Sequence, residues 1–369
     1  MFHKKTIRDV NVADQIILVR TDYNVPLEPI DSESHSGTAQ MRITSDLRIQ
    51  ASLPTIKYLL EHDAAKIILM SHLGRPDGKH DQALSLKVVA ERLAELLPGT
   101  AVSFVDDVSG PEVEMAVEAL PQGGILLLEN LRFSTAEEAN DEEYVREIID
   151  STHAELFVQD GFAVIHRGHA STDAITRLLP SVAGLLLEKE VTTLESVIQE
   201  PQRPFVVVIG GAKVADKQPL IDKFLPLSDQ IFVGGKIAAD GYQSNNPKLI
   251  VSEDFDTAGD GAKLDIGPVA TAKLIEMVQT ARTVLWNGVL GKVEDAAYAT
   301  ASTILAKYLG EHHEITSIIC GGDTAGFVEE LSAEDPSLRY SLVSTGGGAA
   351  LELLCGEKLP GLDGLEDLW

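Results

Sequence analysis

The chain has 369 residues, 44% hydrophobic and 24% charged, with a formal net charge of −27. That length predicts two domains, and that composition predicts a globular chain rather than a disordered or fibrous one. The acidic excess argues against nucleic acid and anionic membranes as partners, because the long-range field repels both.

The longest apolar runs (Ile16–Val19, Ile125–Leu128 and Phe205–Ile209) have strand length and fall far short of a membrane span. The opening MFHKKTIRDV leads into no signal-type apolar core, so a cytoplasmic protein is expected. Cys320 and Cys355 lack metal-type spacing and are expected reduced and partly buried. An anionic ligand in so acidic a chain requires basic residues gathered locally against the average.

The recurring pattern is an apolar strand-like run, a small polar or glycine-rich turn, then a helical pattern. This predicts parallel sheets with crossover helices, whose ligands lie beyond the carboxyl ends of the strands. In the first half, IILVR runs into Thr21-Asp22-Tyr23-Asn24, with Arg20 near the end of its own strand. Glu33 to Thr44 reads as an exposed loop, and Arg48 in SDLRIQAS opens a helical stretch that reaches the same crevice. KIILM runs into Ser71-His72-Leu73-Gly74-Arg75, and ILLLE into Asn130-Leu131-Arg132. The acidic run Glu137–Glu147 reads as a solvated helix face. ELFVQ leads to Asp160, with His166-Arg167-Gly168-His169 shortly after. The helix LLLEKEVTTLESVIQ, followed by Pro201 and Pro204, places a domain boundary near residues 184–204.

The second half carries different chemistry. VVVIG runs into Gly211-Ala212-Lys213-Val214-Ala215-Asp216-Lys217, and QIFVG into Gly235-Lys236. TSIIC runs into Gly321-Gly322-Asp323-Thr324 and the helical AGFVEEL, while YSLVS runs into Thr345-Gly346-Gly347-Gly348 and AALELL, stopped by Gly356. Arginine forks and histidines suit a small polyanion carrying phosphate and carboxylate. Glycine turns that open helices suit nucleotide phosphates, since bare backbone N–H groups and the helix dipole face the anion. Asp323 in such a turn is a candidate Mg²⁺ contact. Any one glycine turn is as readily a mere turn; four in one half, with Lys or Asp at fixed offsets, favour the shared-site reading. The histidines could be structural and the arginines surface-paired, but three arginines at strand ends in one half again favour one site. No GxxxxGK[ST] loop is present, and no GxGxxG follows the first strand, which argues against an ordinary P-loop NTPase and a nicotinamide-dependent oxidoreductase.

With RTDYNVPL, SHLGRPDG, LLLENLRF, DGFAVIHRGHAST, IGGAKVADK, LWNGVLGKVED, CGGDTAGFVEEL and STGGGAALELLCGEKLPG in this order, the chain resembles phosphoglycerate kinases from end to end. The resemblance implies two Rossmann-like parallel-sheet α/β domains facing across a cleft with a hinge: a phosphoglycerate-binding domain at 1–184, an interdomain helix and hinge at 185–204, a nucleotide-binding domain at 205–354, and a tail at 355–369 that packs back on the first domain. It implies the reaction 1,3-bisphosphoglycerate + ADP ⇌ 3-phosphoglycerate + ATP with Mg²⁺, in a monomer. Carried over residue by residue, Asp22, Asn24, Arg48, His72, Arg75, Arg132 and Arg167 resemble the phosphoglycerate site. Gly211, Lys213, Lys217, Gly235, Asn287, Glu294, Gly322, Asp323 and Thr324, with the Gly346–Gly348 turn, resemble the nucleotide side; Asp323 would hold magnesium and Glu294 the ribose hydroxyls. Arg48, Lys213, Lys217, Gly322 and Gly347 would act in the transfer itself, and His72 and His169 would bind or support. The chain departs from the family pattern at Lys236, at Val289 and in DGFA. Its loop over Glu28–Thr44 is longer. The segment from Gly235 to Leu264 is shorter by some tens of residues, which predicts a cut-back adenine wall and admits a rival reading: a relative that binds without turnover.

Overall fold

The structure is a computed structural model that describes residues 2–30, 41–344 and 346–368. Most of the loop expected over Glu33–Thr44 therefore lies outside the described residues, as does Thr345. The chain divides into two compact units, one comprising Met1–Lys189 with Lys358–Trp369 and the other Glu190–Glu357.

In chain order, unit 1 contains β1 (Ile16–Arg20), β2 (Leu27–Pro29), β3 (Met41–Ile43), α1 (Leu47–Glu61), β4 (Lys66–Met70), α2 (Lys87–Leu96), β5 (Val102–Phe104), α3 (Pro111–Ala119), β6 (Gly124–Leu127), α4 (Thr135–Glu138), α5 (Glu142–Thr152), β7 (Leu156–Gln159), β8 (Ser181–Ala183) and the start of α6 (Leu185–Gln199). Six strands form one parallel sheet in the order β5-β6-β4-β1-β7-β8. Helices cover such sheets, so the central strands read as unbroken apolar runs. Ile17, Val19, Ile67, Leu69, Ile125, Leu127 and Val158 pack against Ile49, Ile56 and Leu59 of α1 and Val89 and Leu93 of α2. Connections from β1 and β7 leave in opposite directions, so the switch point, where a parallel sheet opens a crevice, lies at Thr21-Asp22 and Asp160. The terminal segment joins this unit through Glu366 N–H to Ser181 O at 2.9 Å, Gly361 N–H to Ile165 O at 2.9 Å and the Lys4–Asp367 ion pair at 2.8 Å.

Unit 2 continues α6 and adds β9 (Phe205–Ile209), α7 (Val214–Phe224), β10 (Gln230–Val233), α8 (Gly235–Ala239), β11 (Leu249–Val251), β12 (Phe255–Thr257), β13 (Lys263–Ile266), α9 (Pro268–Gln279), β14 (Thr283–Asn287), α10 (Thr300–Glu311), β15 (Thr316–Cys320), α11 (Gly322–Glu334), β16 (Leu342–Ser344) and α12 (Gly347–Cys355). Its parallel sheet has the order β11-β10-β9-β14-β15-β16, and β12 and β13 form a separate antiparallel hairpin. Val206, Val208, Phe232, Val284, Trp286 and Ile319 pack against Leu274 and Val278 of α9 and Leu305 and Leu309 of α10. The switch point falls between β9 and β14, where the turns Gly210-Gly211 and Gly288-Val289 meet. A Cβ on Gly210 would stand 2.2 Å from Val289 O, and one on Gly288 2.4 Å from the Gly210 carbonyl carbon. Only glycine permits two backbones to approach this closely.

Candidate active site

Unit 1 gathers basic side chains at the carboxyl ends of β1, β4 and β6, at the start of α1 and in the turn after β7. Arg20, the last residue of β1, is fully buried: its Nε donates to Ser171 Oγ at 2.8 Å, its Nη1 to Thr21 O, and its Nη2 lies 3.3 Å from His72 Nδ1. A guanidinium only donates, so His72 Nδ1 accepts and the ring is neutral, with its hydrogen on Nε2. Burial first, and then Arg20, Arg132, Arg167 and Arg48, push the His72 pKa well below its ordinary value. Asp22 accepts from Arg48 Nη1 and from Asn24 N–H at 3.2 Å; Asn24 Oδ1 in turn accepts from Gly74 N–H at 2.8 Å, joining the first two strand-end loops.

Arg132 carries the clearest signal. It is 4% exposed, its Nη1 donates to Gly74 O at 3.0 Å, and its Nε lies 3.3 Å from Glu138 Oε1 without hydrogen-bond geometry. Its buried Nε and Nη2 have no hydrogen-bond partner. Burial, with Arg167 and Arg20 opposing the charge and Glu138 only partly offsetting it, holds its pKa down to about 10. Arg167 Nε donates to His166 Nε2 at 3.3 Å, and the Nδ1 atoms of His166 and His169 are likewise buried without partners. Burial first, then neighbouring guanidinium groups, lower both histidines to about 4. Four arginines thus crowd three neutral imidazoles, a field that an anion relieves. Arg75, in the same strand-end turn as the buried His72, is exposed.

The cluster is braced by a residue that the sequence pattern misread. Glu137, expected on a solvated helix face, is fully buried in α4 and accepts from Ser171 N–H at 3.0 Å and Ser171 Oγ at 2.6 Å. It backs Arg20 through Ser171, which is why an acidic side chain is tolerated there. Arg20 heads the RTDYNVPL block, but nothing in that block marks its full burial between Ser171 and His72.

In unit 2, α7, α11 and α12 open at the carboxyl ends of β9, β15 and β16. Lys213 is the exposed N-terminal boundary residue of α7; Lys217, one turn further, is half-buried and donates to Asn287 Oδ1 at the end of β14. Burial lowers the Lys217 pKa, against the fields of Cys320, Asp216 and Asp323. Asn287 Nδ2 donates to the buried Cys320 Sγ at 3.2 Å, and Thr324 Oγ1 accepts from Gly288 N–H at 2.9 Å. Asn287 and Thr324 therefore lock the glycine turns together rather than projecting into the open. Gly347 does so too: a Cβ there would stand 2.8 Å from Gly322 N. Gly322 and Asp323 occupy the first turn of α11, both exposed. Beside them lies a cavity of about 270 Å³ lined by Gly211, Gly235, Glu294 and Asp323, with Phe255 and Lys263 of the hairpin. Asp323 offers a carboxylate oxygen next to helix N-termini, a donor that suits a hard Mg²⁺ ion shared with phosphate oxygens.

Two Rossmann-like units, one gathering arginines and histidines at its strand ends and the other opening helices at glycine turns, fit a phosphotransferase-type α/β protein. The chain belongs to the phosphoglycerate kinase family: the model described as phosphoglycerate kinase matches residues 7–249 and 239–357. It is 39% identical over 401 residues to the phosphoglycerate kinase of Coprothermobacter proteolyticus, covering 97% of this chain and 98% of that protein. Against that of Roseiflexus sp. strain RS-1 it is 39% identical over 410 residues, covering 99% of each. Those alignments are longer than the 369 residues of this chain, so the relatives carry residues that it lacks. The solved phosphoglycerate kinase of Pyrococcus horikoshii OT3 superposes with a TM-score of 0.82 at 25% identity, covering 98% of both chains. That of Coxiella burnetii gives 0.76 at 28% identity, again with 98% of both covered. Among the described residues no helix is long and apolar enough to cross a membrane.

Proposed function

We propose that the protein catalyses 1,3-bisphosphoglycerate + ADP ⇌ 3-phosphoglycerate + ATP, as a cytoplasmic monomer, with the phosphoglycerate in unit 1 and the magnesium nucleotide in unit 2. The observation that carries the unit 1 assignment is Arg132, a buried guanidinium with two unpartnered N–H directions amid Arg20 and Arg167. A phosphate or carboxylate supplies what these donors lack.

The acceptor oxygen is a carboxylate when ATP is consumed and a diphosphate oxygen when ATP is formed, both ionised at neutral pH, so no general base is required. The neutral His72 and His169 accordingly bind and position, and Asp22 orients the Arg48 fork. The chemistry then rests on alignment and on neutralising the phosphoryl group as it passes. Arg48, Lys213 and Lys217 supply positive charge, and the N–H groups of Gly322 and Gly347 supply oriented dipoles. Asp323 would hold Mg²⁺, which when bound offsets phosphate charge. Ligands held by different units react only when brought into line, and the segment 185–204 is assigned the hinge.

Calorimetry on Arg132→Met and Asp323→Ala tests the division. The first variant should lose 3-phosphoglycerate and keep Mg·ADP, and the second should do the reverse. Equal loss of both ligands in either variant would overturn it.

A further inference from the structure

The shortened Gly235–Leu264 segment does not leave the cavity of unit 2 bare. The segment itself closes with the β12–β13 hairpin, pinned by Phe255 against Ile266 and Thr257 against Lys263, with the register shifting between Asp256 and Thr257. Phe255 and Lys263 both line the cavity, together with Leu264, Val289 and Leu290. The Lys263 ammonium stands 4.4 Å above the centre of the Phe255 ring, a cation–π contact that fixes the cation at that wall. One of its donors is directed to Ala239 O at 3.4 Å, and two remain. Two other lysines line this cavity: Lys236 is held by both oxygens of Asp240 at 2.8 and 2.9 Å, and Lys292 stands beside Gly291, beyond the turn that follows β14 and away from the Phe255 ring. Asp265, the carboxylate at the same wall, is committed to Ile266 N–H at 2.9 Å and Ala301 N–H at 3.0 Å.

On the reading that this cavity takes the nucleotide, we propose that the hairpin is its base-recognising wall and that Lys263 selects for a base edge rich in acceptors. An ammonium only donates. Guanine presents two adjacent acceptors, N7 and O6, whereas adenine presents N7 beside an amino donor. Lys263 therefore contacts the base, and Phe255 is a positioning residue that acts through it. The chain is expected to bind GDP at least as tightly as ADP.

The test is calorimetry on the full chain with Mg·ADP, Mg·GDP and magnesium tripolyphosphate. Lys263→Met should move the GDP-to-ADP affinity ratio about three- to tenfold towards ADP, the scale of one net hydrogen bond, and Lys263→Arg should restore it. Phe255→Leu, and Phe255→Ala where thermal unfolding shows it folded, should move the ratio the same way and leave tripolyphosphate affinity unchanged. An unchanged ratio in Lys263→Met, or a wild-type chain that prefers ADP a hundredfold, overturns the wall assignment alone. If Asp323→Ala leaves nucleotide affinity untouched, the cavity is not the nucleotide site and both readings fall.

Discussion

Replacing Arg132 should make the protein more stable while removing its ability to hold phosphoglycerate. Keeping this guanidinium charged at about 10 rather than in its ordinary range costs on the order of 3 kcal/mol, whether written as desolvation or as orphaned donors. Against that stands one hydrogen bond to Gly74 O, worth about 1–2 kcal/mol, the field of Glu138 being already contained in that lowered pKa. Arg132→Met keeps the aliphatic stem, so the net gain should be about 1–2 kcal/mol, or roughly 2–8 °C in Tm for a unit of this size. The same change deletes a charge-assisted fork, which should weaken 3-phosphoglycerate by roughly thirty- to a thousandfold, at about 2–4 kcal/mol for a desolvated charged contact. Differential scanning fluorimetry with and without 3-phosphoglycerate reads both effects at once. The variant should melt higher than wild type without ligand and show no ligand-induced rise. A lower melting point together with an undiminished rise would refute the argument that these donors wait for an anion.

Arg48→Met should lower kcat by roughly 10²–10⁴, the scale of losing a preorganised charge donor. Because Arg48 also pairs with the nearly buried Asp22, that variant should lose about 1–3 kcal/mol in urea unfolding, and a turnover loss under about tenfold would remove Arg48 from the transfer step. Burial raises the Asp160 carboxyl to about 7 although it accepts from Leu186 N–H at 3.0 Å at the start of α6. Folded Asp160 thus binds its proton more tightly than the unfolded chain does, so stability falls as pH rises from the unfolded carboxylate range to about 7. Asp160→Asn should abolish that slope, gaining on the order of 2 kcal/mol over wild type between pH 5 and pH 8, and parallel urea-unfolding profiles would contradict it. Small-angle scattering should show a more compact particle with both ligands than with either alone, and no compaction in an active protein would remove the hinge assignment from 185–204.

The elements carried by long apolar runs were legible: IILVR, KIILM and TSIIC are β1, β4 and β15, and LLLEKEVTTLESVIQ is α6. The short edge strands β5, β8 and β11 were not, because three residues hold too little periodicity to stand out from a loop. Strand β14 carries the same kind of apolar run, TVLWN, and its WNG end sits at the switch point. The strand-end rule found Arg132, Arg167 and Asp323. It could not separate glycines that face a ligand from Gly210 and Gly288, whose purpose is to let two turns touch. Nor could it find Glu137, whose burial depends on Ser171 arriving from 34 positions away. The shortening of the segment was visible, but not the Phe255–Lys263 pair with which it lines the cavity.

The central claim is tested most directly by supplying the purified chain with Mg·ATP and 3-phosphoglycerate and coupling product formation to NADH oxidation. The account predicts sustained, magnesium-dependent NADH loss that needs both substrates, persists at reduced rate in Arg75→Ala, and nearly vanishes in Arg48→Met. Absence of turnover in a folded chain that binds both ligands by calorimetry would contradict it.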